Sequence, residues 1–201
     1  MTVTEPTTNT ADDSFRRMDE STAEQWAHIG RCTAINQPRV ADRILMLLQS
    51  LADIRDGFLT DQLTHSLQTA TMAERAGADE EMVFASLCHD IGKAISVPNH
   101  GAISAEIIKP YVRDEVYQTI LNHQDFQGRH YYHHFGAPRD LRDQFQDESW
   151  FALCEQFTDD WDQQAFDPDY DTLPLEHFEP LVRRITAAVS SGASGTQRTD
   201  Y

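Results

Sequence analysis

Leu87-Cys88-His89-Asp90-Ile91-Gly92-Lys93 places two adjacent ligand-type side chains at the end of an apolar run. Neighbouring residues on a helix diverge, but at a helix end before a glycine both can turn towards one cavity. A buried carboxylate beside a buried histidine is costly unless a metal ion or another cation accompanies it. Looking outward from this pair, His65 precedes it, and His100, His123 and Asp162 follow it. Taken singly, each reads equally as a hydrogen-bonded core or surface residue. Taken together, imidazole nitrogen and carboxylate oxygen form a donor set suited to iron, manganese or zinc.

The segments carrying these residues read as helices. Val40, Ile44, Leu47, Leu48 and Leu51 recur at three- and four-residue spacing, which predicts an amphipathic helix from Pro38 to about Ile54. Asp61 to Ala76 reads as a second, closed by Gly77 as the residue past its C-cap. Asp79 caps a third, with Glu80 and Glu81 in its first turn and Gly92 at its close. Ser21-Thr22-Ala23-Glu24 has the form of a capping box, with Ser21 as N-cap. Shorter helices are expected around 101–109, 113–122, 148–160 and 175–188. No stretch alternates with period two for long enough to predict a strand. The reading is one all-α domain over about residues 20–187, with disordered tails at 1–19 and 188–201.

The chain has 201 residues, a formal net charge of −17 and a pI near 4.7. This balance argues against nucleic acid, which needs a basic stripe to displace counterions, and against an anionic membrane surface. No segment approaches the roughly 20 apolar residues of a membrane span. The first thirteen residues have neither a basic start nor an apolar stretch, so no signal peptide is expected. Cys32, Cys88 and Cys154 are odd in number and lack a CxxC spacing, which points to a reduced, cytoplasmic protein.

The order His, His-Asp, His, His, Asp on an all-α chain resembles the HD-domain superfamily over roughly residues 60–185. The resemblance implies a helical bundle around a central dinuclear site with His65, His89, Asp90, His100, His123 and Asp162 as ligands and Asp90 as the bridge. His100 and His123 are what the mononuclear pattern lacks. The dinuclear branch contains phosphohydrolases and mixed-valent di-iron oxygenases, among them myo-inositol oxygenase and the oxygenases that cleave 1-hydroxyphosphonates. Three segments are similar to the phosphonate oxygenases: His65-Ser66-Leu67-Gln68, Trp161-Asp162-Gln163-Gln164, and Glu179-Pro180-Leu181 with Arg183-Arg184. There are departures. Lys93 stands where the phosphonate enzyme has histidine, Arg55 and Phe58 occupy its tyrosine and glutamate gate positions, and Gln127 replaces a lysine.

The resemblance implies two iron ions (Fe2+/Fe3+), O2 and an organophosphonate substrate. For a phosphohydrolase acting on a nucleotide or phosphate ester, it implies Mn2+ or another divalent ion. A metal-binding interaction module without turnover is the third reading. Lys93 is the expected anion-contacting and catalytic group, with a surface lysine past a helix end as the alternative. Gln127, Arg129, Tyr131 and Asp159 are expected to meet substrate, with Arg142 as a further anion anchor. An aromatic and acidic cage from Trp26, Tyr131, Tyr132, Asp159 and Asp160 would suit a quaternary ammonium, hence 1-hydroxy-2-(trimethylammonio)ethylphosphonate. The run from Phe126 to His134 is expected to line the pocket mouth, with His133-His134 as a conceivable extra metal site.

Overall fold

A computed structural model describes residues 14–36 and 39–192, with side chains to residue 187. Eight α-helices and no strand occur among the described residues: α1 Ala23–Asn36, α2 Val40–Ser50, α3 Gln62–Arg75, α4 Glu80–Cys88, α5 His100–Ile108, α6 Asp114–Tyr131, α7 Phe151–Gln156 and α8 Leu175–Gly192. The all-α expectation holds. Contacts divide the chain into Met1–Val40 and Ala41–Tyr201, a boundary well inside the single domain expected from residue 20. The expected tails fall largely at 1–13 and 193–201, outside the described residues, as does the expected helix start at Pro38. Helix α8 continues to Gly192, past the boundary expected at 187.

In the N-terminal unit the capping box is shifted by one residue from the expected Ser21 and Glu24. Thr22 Oγ1 accepts from the Gln25 N–H at 3.3 Å, and Gln25 Oε1 accepts from the Thr22 N–H at 2.9 Å. Ser21 instead receives Trp26 Nε1–H at 2.8 Å. Trp26 rests against Phe15 within this unit, with ring centroids 5.4 Å apart.

In the larger unit α3 packs on α4, α5 on α6, α6 on α7, and α8 on α4. The core is apolar where helices cross, with Leu48, Leu51, Phe84, Leu87, Ile108, Ile120, Phe126 and Phe157 fully buried. Helix α3 is unusual because its inward residues are largely polar: Gln62, His65, Ser66, Gln68, Thr69 and Thr71 are buried. Several are satisfied locally, which removes most of the cost of burying them. Thr69 and Thr71 donate to the carbonyls four residues earlier, and Gln68 donates to the Asp167 carbonyl at 2.6 Å.

Helix α3 has the expected Asp61 N-cap, accepting from the Thr64 N–H at 2.8 Å, and Gly77 beyond its end at φ +80°. Asp79 caps α4 as expected, accepting from Met82 N–H at 3.0 Å. Gly92 does not close α4. That helix ends at Cys88, and Gly92 lies in a 3-10 turn, Ile91–Ala94, pressed against α5. A Cβ on Gly92 would overlap the His100 backbone, and the Gly92 N–H donates to Ser104 Oγ at 3.0 Å. Only a glycine permits that approach. The helix expected over 113–122 runs on to Tyr131, so His123 sits mid-helix rather than at an end. After α7 the chain widens into a π-turn, Phe157–Trp161, then a 3-10 turn, Asp162–Gln164.

Candidate metal centre and cavity

Four helices and two short turns bring the six candidate ligands together. His65 comes from the first turns of α3, His89 from the α4 C-cap, Asp90 from the turn after it, His100 from the start of α5, His123 from α6 and Asp162 from the π-turn exit. All six are at least 95 % buried. They form two triads, His65–His89–Asp162 and Asp90–His100–His123, each with ligand-type atoms within 4.8 Å of one another. Asp90 faces both. Its Oδ2 lies 3.4 Å from His65 Nε2 and 3.3 Å from His89 Nε2, and its Oδ1 lies 3.0 Å from His100 Nε2 and 3.8 Å from His123 Nε2.

Each of the four rings has its Nδ1 against a backbone carbonyl: Ala165 at 3.0 Å, Ser86 at 2.8 Å, Val97 at 2.8 Å and Ile120 at 2.7 Å for His65, His89, His100 and His123. A carbonyl only accepts, so these partners assign the proton to Nδ1. In the neutral rings every Nε2 then carries a lone pair aimed at the centre. Asp162 Oδ1 sits 3.1 Å from His65 Nε2 and 3.3 Å from His89 Nε2, yet it has no hydrogen-bond partner, and neither does Asp90 Oδ1. The short distances and the missing bonds agree once the nitrogens have no proton to give. Lone pairs face lone pairs, and positive charge between them relieves the conflict. These residues fit a pair of metal ions held by nitrogen and carboxylate oxygen, with the carbonyls orienting each ring.

The electrostatics say the same in terms of protons. Burial disfavours charge on His89, but Asp90 and Asp162 outweigh it and raise its pKa to about 10. His65 is likewise raised: burial opposes the charge, and the nearby carboxylates of Asp162 and Asp90 overcome it. Burial pushes Asp90 up, yet His89 and Lys93 hold it well below the carboxylate range. Asp162 is held down similarly, by His89 and His65. His123, further from the carboxylates, is lowered by burial to about 4.

A cavity of about 590 Å³ opens beside the second triad, reaching His100 at its floor and Lys93, Gln127 and Tyr131 on its walls. Lys93 is not a free surface lysine. Its Nζ donates to Asp90 Oδ2 at 2.6 Å and to Gln62 Oε1 at 2.9 Å. Gln127 Nε2 donates to Asp162 Oδ2 at 3.0 Å. Of the Phe126–His134 run, Gln127, His130, Tyr131 and His134 line the cavity, whereas Phe126 is packed in the core. The His133 and His134 rings lie 3.9 Å apart, tilted at 39°, and belong to neither triad.

Five expected contacts need correction. Arg142 is buried and does not line the cavity, because its guanidinium is held by Asp159 at 3.0 Å and Glu155 at 3.0 Å. Asp159 is correspondingly neutralised and faces α6 rather than the cavity, with His130 Nε2 at 2.9 Å. Arg129 points to solvent and is absent from the lining, as are Tyr132 and the exposed Asp160.

Two residues of the site escape a reading of the sequence. Gln62 is three residues before His65, on the same helix face, and only that spacing could flag it. Phe166 stacks on His65 at 4.2 Å, and Phe58 stacks on Phe166 at 4.7 Å, so the gate position is filled by an aromatic stack. No sequence signal pairs those rings. Asp56 and Gly57, with φ of 48° and 87°, make the left-handed turn just before Phe58.

No curated protein matches the chain. The HD-domain family model matches residues 63–165, more than half of the sequence and the segment that carries all six clustered residues. The paired His89-Asp90 at the centre of a buried histidine and aspartate cluster is therefore the mark of its family: this chain belongs to the HD-domain family.

Proposed function

We infer that the protein is a cytoplasmic di-iron oxygenase that cleaves the carbon–phosphorus bond of a 1-hydroxyphosphonate and releases phosphate. The observation that carries this reading is Asp90 facing two buried His/Asp triads, the second of which meets, through His100, a cavity that also presents Lys93. Iron bound by such a donor set would supply dioxygen activation and one-electron chemistry at a carbon–hydrogen bond. The chain's own residues supply the rest. Lys93 offers an ammonium group to a phosphonate oxygen, and Gln62 and Asp90 fix its position. Gln127 orients Asp162, and Phe58 and Phe166 shield the His65 side from water.

The trimethylammonio substrate is supported by a different cage from the one the sequence suggested. Phe58, Tyr131, Phe135 and Phe166 line the cavity, with Asp56 as the carboxylate among its lining residues. Ring faces near one carboxylate suit a quaternary ammonium, at roughly 0.5–2 kcal/mol for each well-placed ring. Faster turnover of the trimethylated compound than of its primary-amine analogue is the expected result. The reverse preference would rule the cage out.

The deciding experiment loads the protein with iron and follows O2 uptake and phosphate release with 1-hydroxyphosphonates. The two should rise together and stop under anaerobiosis. Full phosphate release without O2, from a phosphonate or a phosphate ester, would assign the protein to the metal-dependent phosphohydrolases. If neither activity appeared with iron or manganese, a binding module would be the better reading.

A further inference from the structure

Helices α6 and α7, with the π-turn, meet in a short ladder of side chains leading out of the metal centre. His123, Gln127 and His130 occupy one stripe of α6 at i, i+4 and i+7. Asp162 and Asp159, three residues apart, face that stripe. The inner rung is Gln127 Nε2 to Asp162 Oδ2 at 3.0 Å, and the outer rung is His130 Nε2 to Asp159 Oδ1 at 2.9 Å. Asp159 is fixed from behind by Arg142, whose Nη1 reaches Oδ1 at 3.1 Å and Oδ2 at 3.0 Å. Arg142 is itself 4 % exposed. A carboxylate held this firmly sets the ring of His130: Nε2 donates to it, and Nδ1, with no hydrogen-bond partner among the described residues, is left as an acceptor on a ring that lines the cavity.

The other polar groups on the cavity wall are engaged elsewhere or lie exposed. Lys93 donates to two acceptors, and His100 uses Nδ1 on Val97 while its Nε2 faces Asp90. Burial raises the Tyr131 phenol and keeps it protonated. His134 is exposed, lies tilted against His133 and has no carboxylate to orient it among the described residues. Asp56 sits exposed at the rim.

We propose that His130, oriented by Asp159, is the general base that takes the proton from the substrate hydroxyl and passes it to solvent. This rests on the oxygenase reading above. Oxidative cleavage of a 1-hydroxyphosphonate dianion by one O2 yields a carboxylate, hydrogen phosphate and one proton, so a proton must leave the cavity in every turnover. In the step assigned to His130, the substrate O–H bond breaks and an N–H bond forms at Nδ1. The electron pair stays on the substrate oxygen, and no atom is oxidised or reduced. The resulting imidazolium keeps its Nε2–H hydrogen bond to Asp159 Oδ1. The His130 side chain is 33 % exposed, so Nδ1 can return the proton to water. His130 is a catalytic residue in this scheme, and Asp159 is a positioning residue.

The test combines kinetics with the ring's own tautomer. His130→Ala and His130→Gln should retain the parent metal content and melting temperature and lose roughly 10²–10⁴-fold in kcat with KM little changed. Added imidazole should restore part of the kcat of His130→Ala. Unchanged kcat, or a loss confined to KM without rescue by imidazole, overturns the assignment. Independently of activity, long-range proton–nitrogen NMR of the zinc-loaded protein should show His130 protonated at Nε2 and bare at Nδ1. The opposite tautomer overturns the assignment whatever reaction the parent catalyses, whereas absent O2 uptake by the parent, with the expected tautomer, sinks only the oxygenase reading and supports the assigned Nδ1 acceptor.

Discussion

The Nε2 atoms of His65 and His89 lie 3.0 Å apart although each ring already donates its Nδ1 proton to a backbone carbonyl. Two neutral imidazoles in that arrangement repel, and in the metal-free protein Asp90 and Asp162 favour a proton there, against the cost of burial, raising the His89 pKa from an ordinary 6.5 to about 10. The stabilisation from protonated His89 is fully present below pH 6.5 and is lost as pH rises through about 10. His65 shifts in the same direction, whereas lowered His123 acts only below its ordinary value. The melting temperature of chelator-treated protein should therefore fall between pH 6.5 and 10. Metal-loaded protein should be flatter there, because an ion has replaced the protons. A melting temperature for the metal-free protein that rises over this range would contradict the arrangement.

Asp90 faces both triads, which makes metal stoichiometry informative. The parent chain should bind two ions, and His100→Ala or His123→Ala should bind one. Asp90→Ala should bind neither ion firmly, since each triad loses a carboxylate oxygen at 3.0–3.8 Å from its histidines. Metal analysis by mass spectrometry reads this directly. One ion in the parent, unchanged in His100→Ala, would mean that the second triad holds no metal.

Gly92 sets the distance between the two halves of the site, because its missing side chain lets the His89-Asp90 turn press on the His100 backbone. Gly92→Ala should cost roughly 1–3 kcal/mol by overpacking. It should also lower metal content, since the triads are pushed apart. Gly30→Ala is the control: nothing lies within 4 Å of the point a methyl group would occupy there, so stability should hold or rise. Thermal melts of the two variants, run side by side, check the contrast.

Lys93 joins the cavity to Asp90 by a 2.6 Å charged hydrogen bond. In Lys93→Gln the anion loses its ammonium partner, a contact of roughly 1.5–3 kcal/mol. KM for a 1-hydroxyphosphonate should rise roughly 10- to 100-fold. A KM unchanged in a variant that still binds two ions would remove Lys93 from substrate recognition.

Helices α3 and α4 are legible from the sequence because their limits are set by neighbours in the chain: Asp61 and Asp79 cap them, and Gly77 ends the first. The same local logic places the capping box of α1 one residue early, since Ser21 and Thr22 are chemically near-equivalent and hydrogen bonds with Met18 and Trp26 engage Ser21 elsewhere. The extent of α6 is less legible because Gly128 interrupts an otherwise helix-compatible stretch. Gly128 is tolerated there because the Tyr132 ring lies where a side chain would be, 2.5 Å from a Cβ.

By itself the sequence determined the all-α class, the His89-Asp90 pair and the order of ligand-type residues, since helical periodicity, caps and ligand identity are properties of short stretches of chain. Only the tertiary structure decided which side chains face one another. It joined Arg142 to Asp159 and thereby removed both from the cavity, set Gln62 against Lys93, and stacked Phe58 and Phe166 over His65. Gln62 and Lys93 are 31 residues apart, and His65 and the Ala165 carbonyl that orients it are 100 apart. Pairings at such separations depend on how helices pack and on which buried charges must be neutralised, and no local pattern in the chain records either.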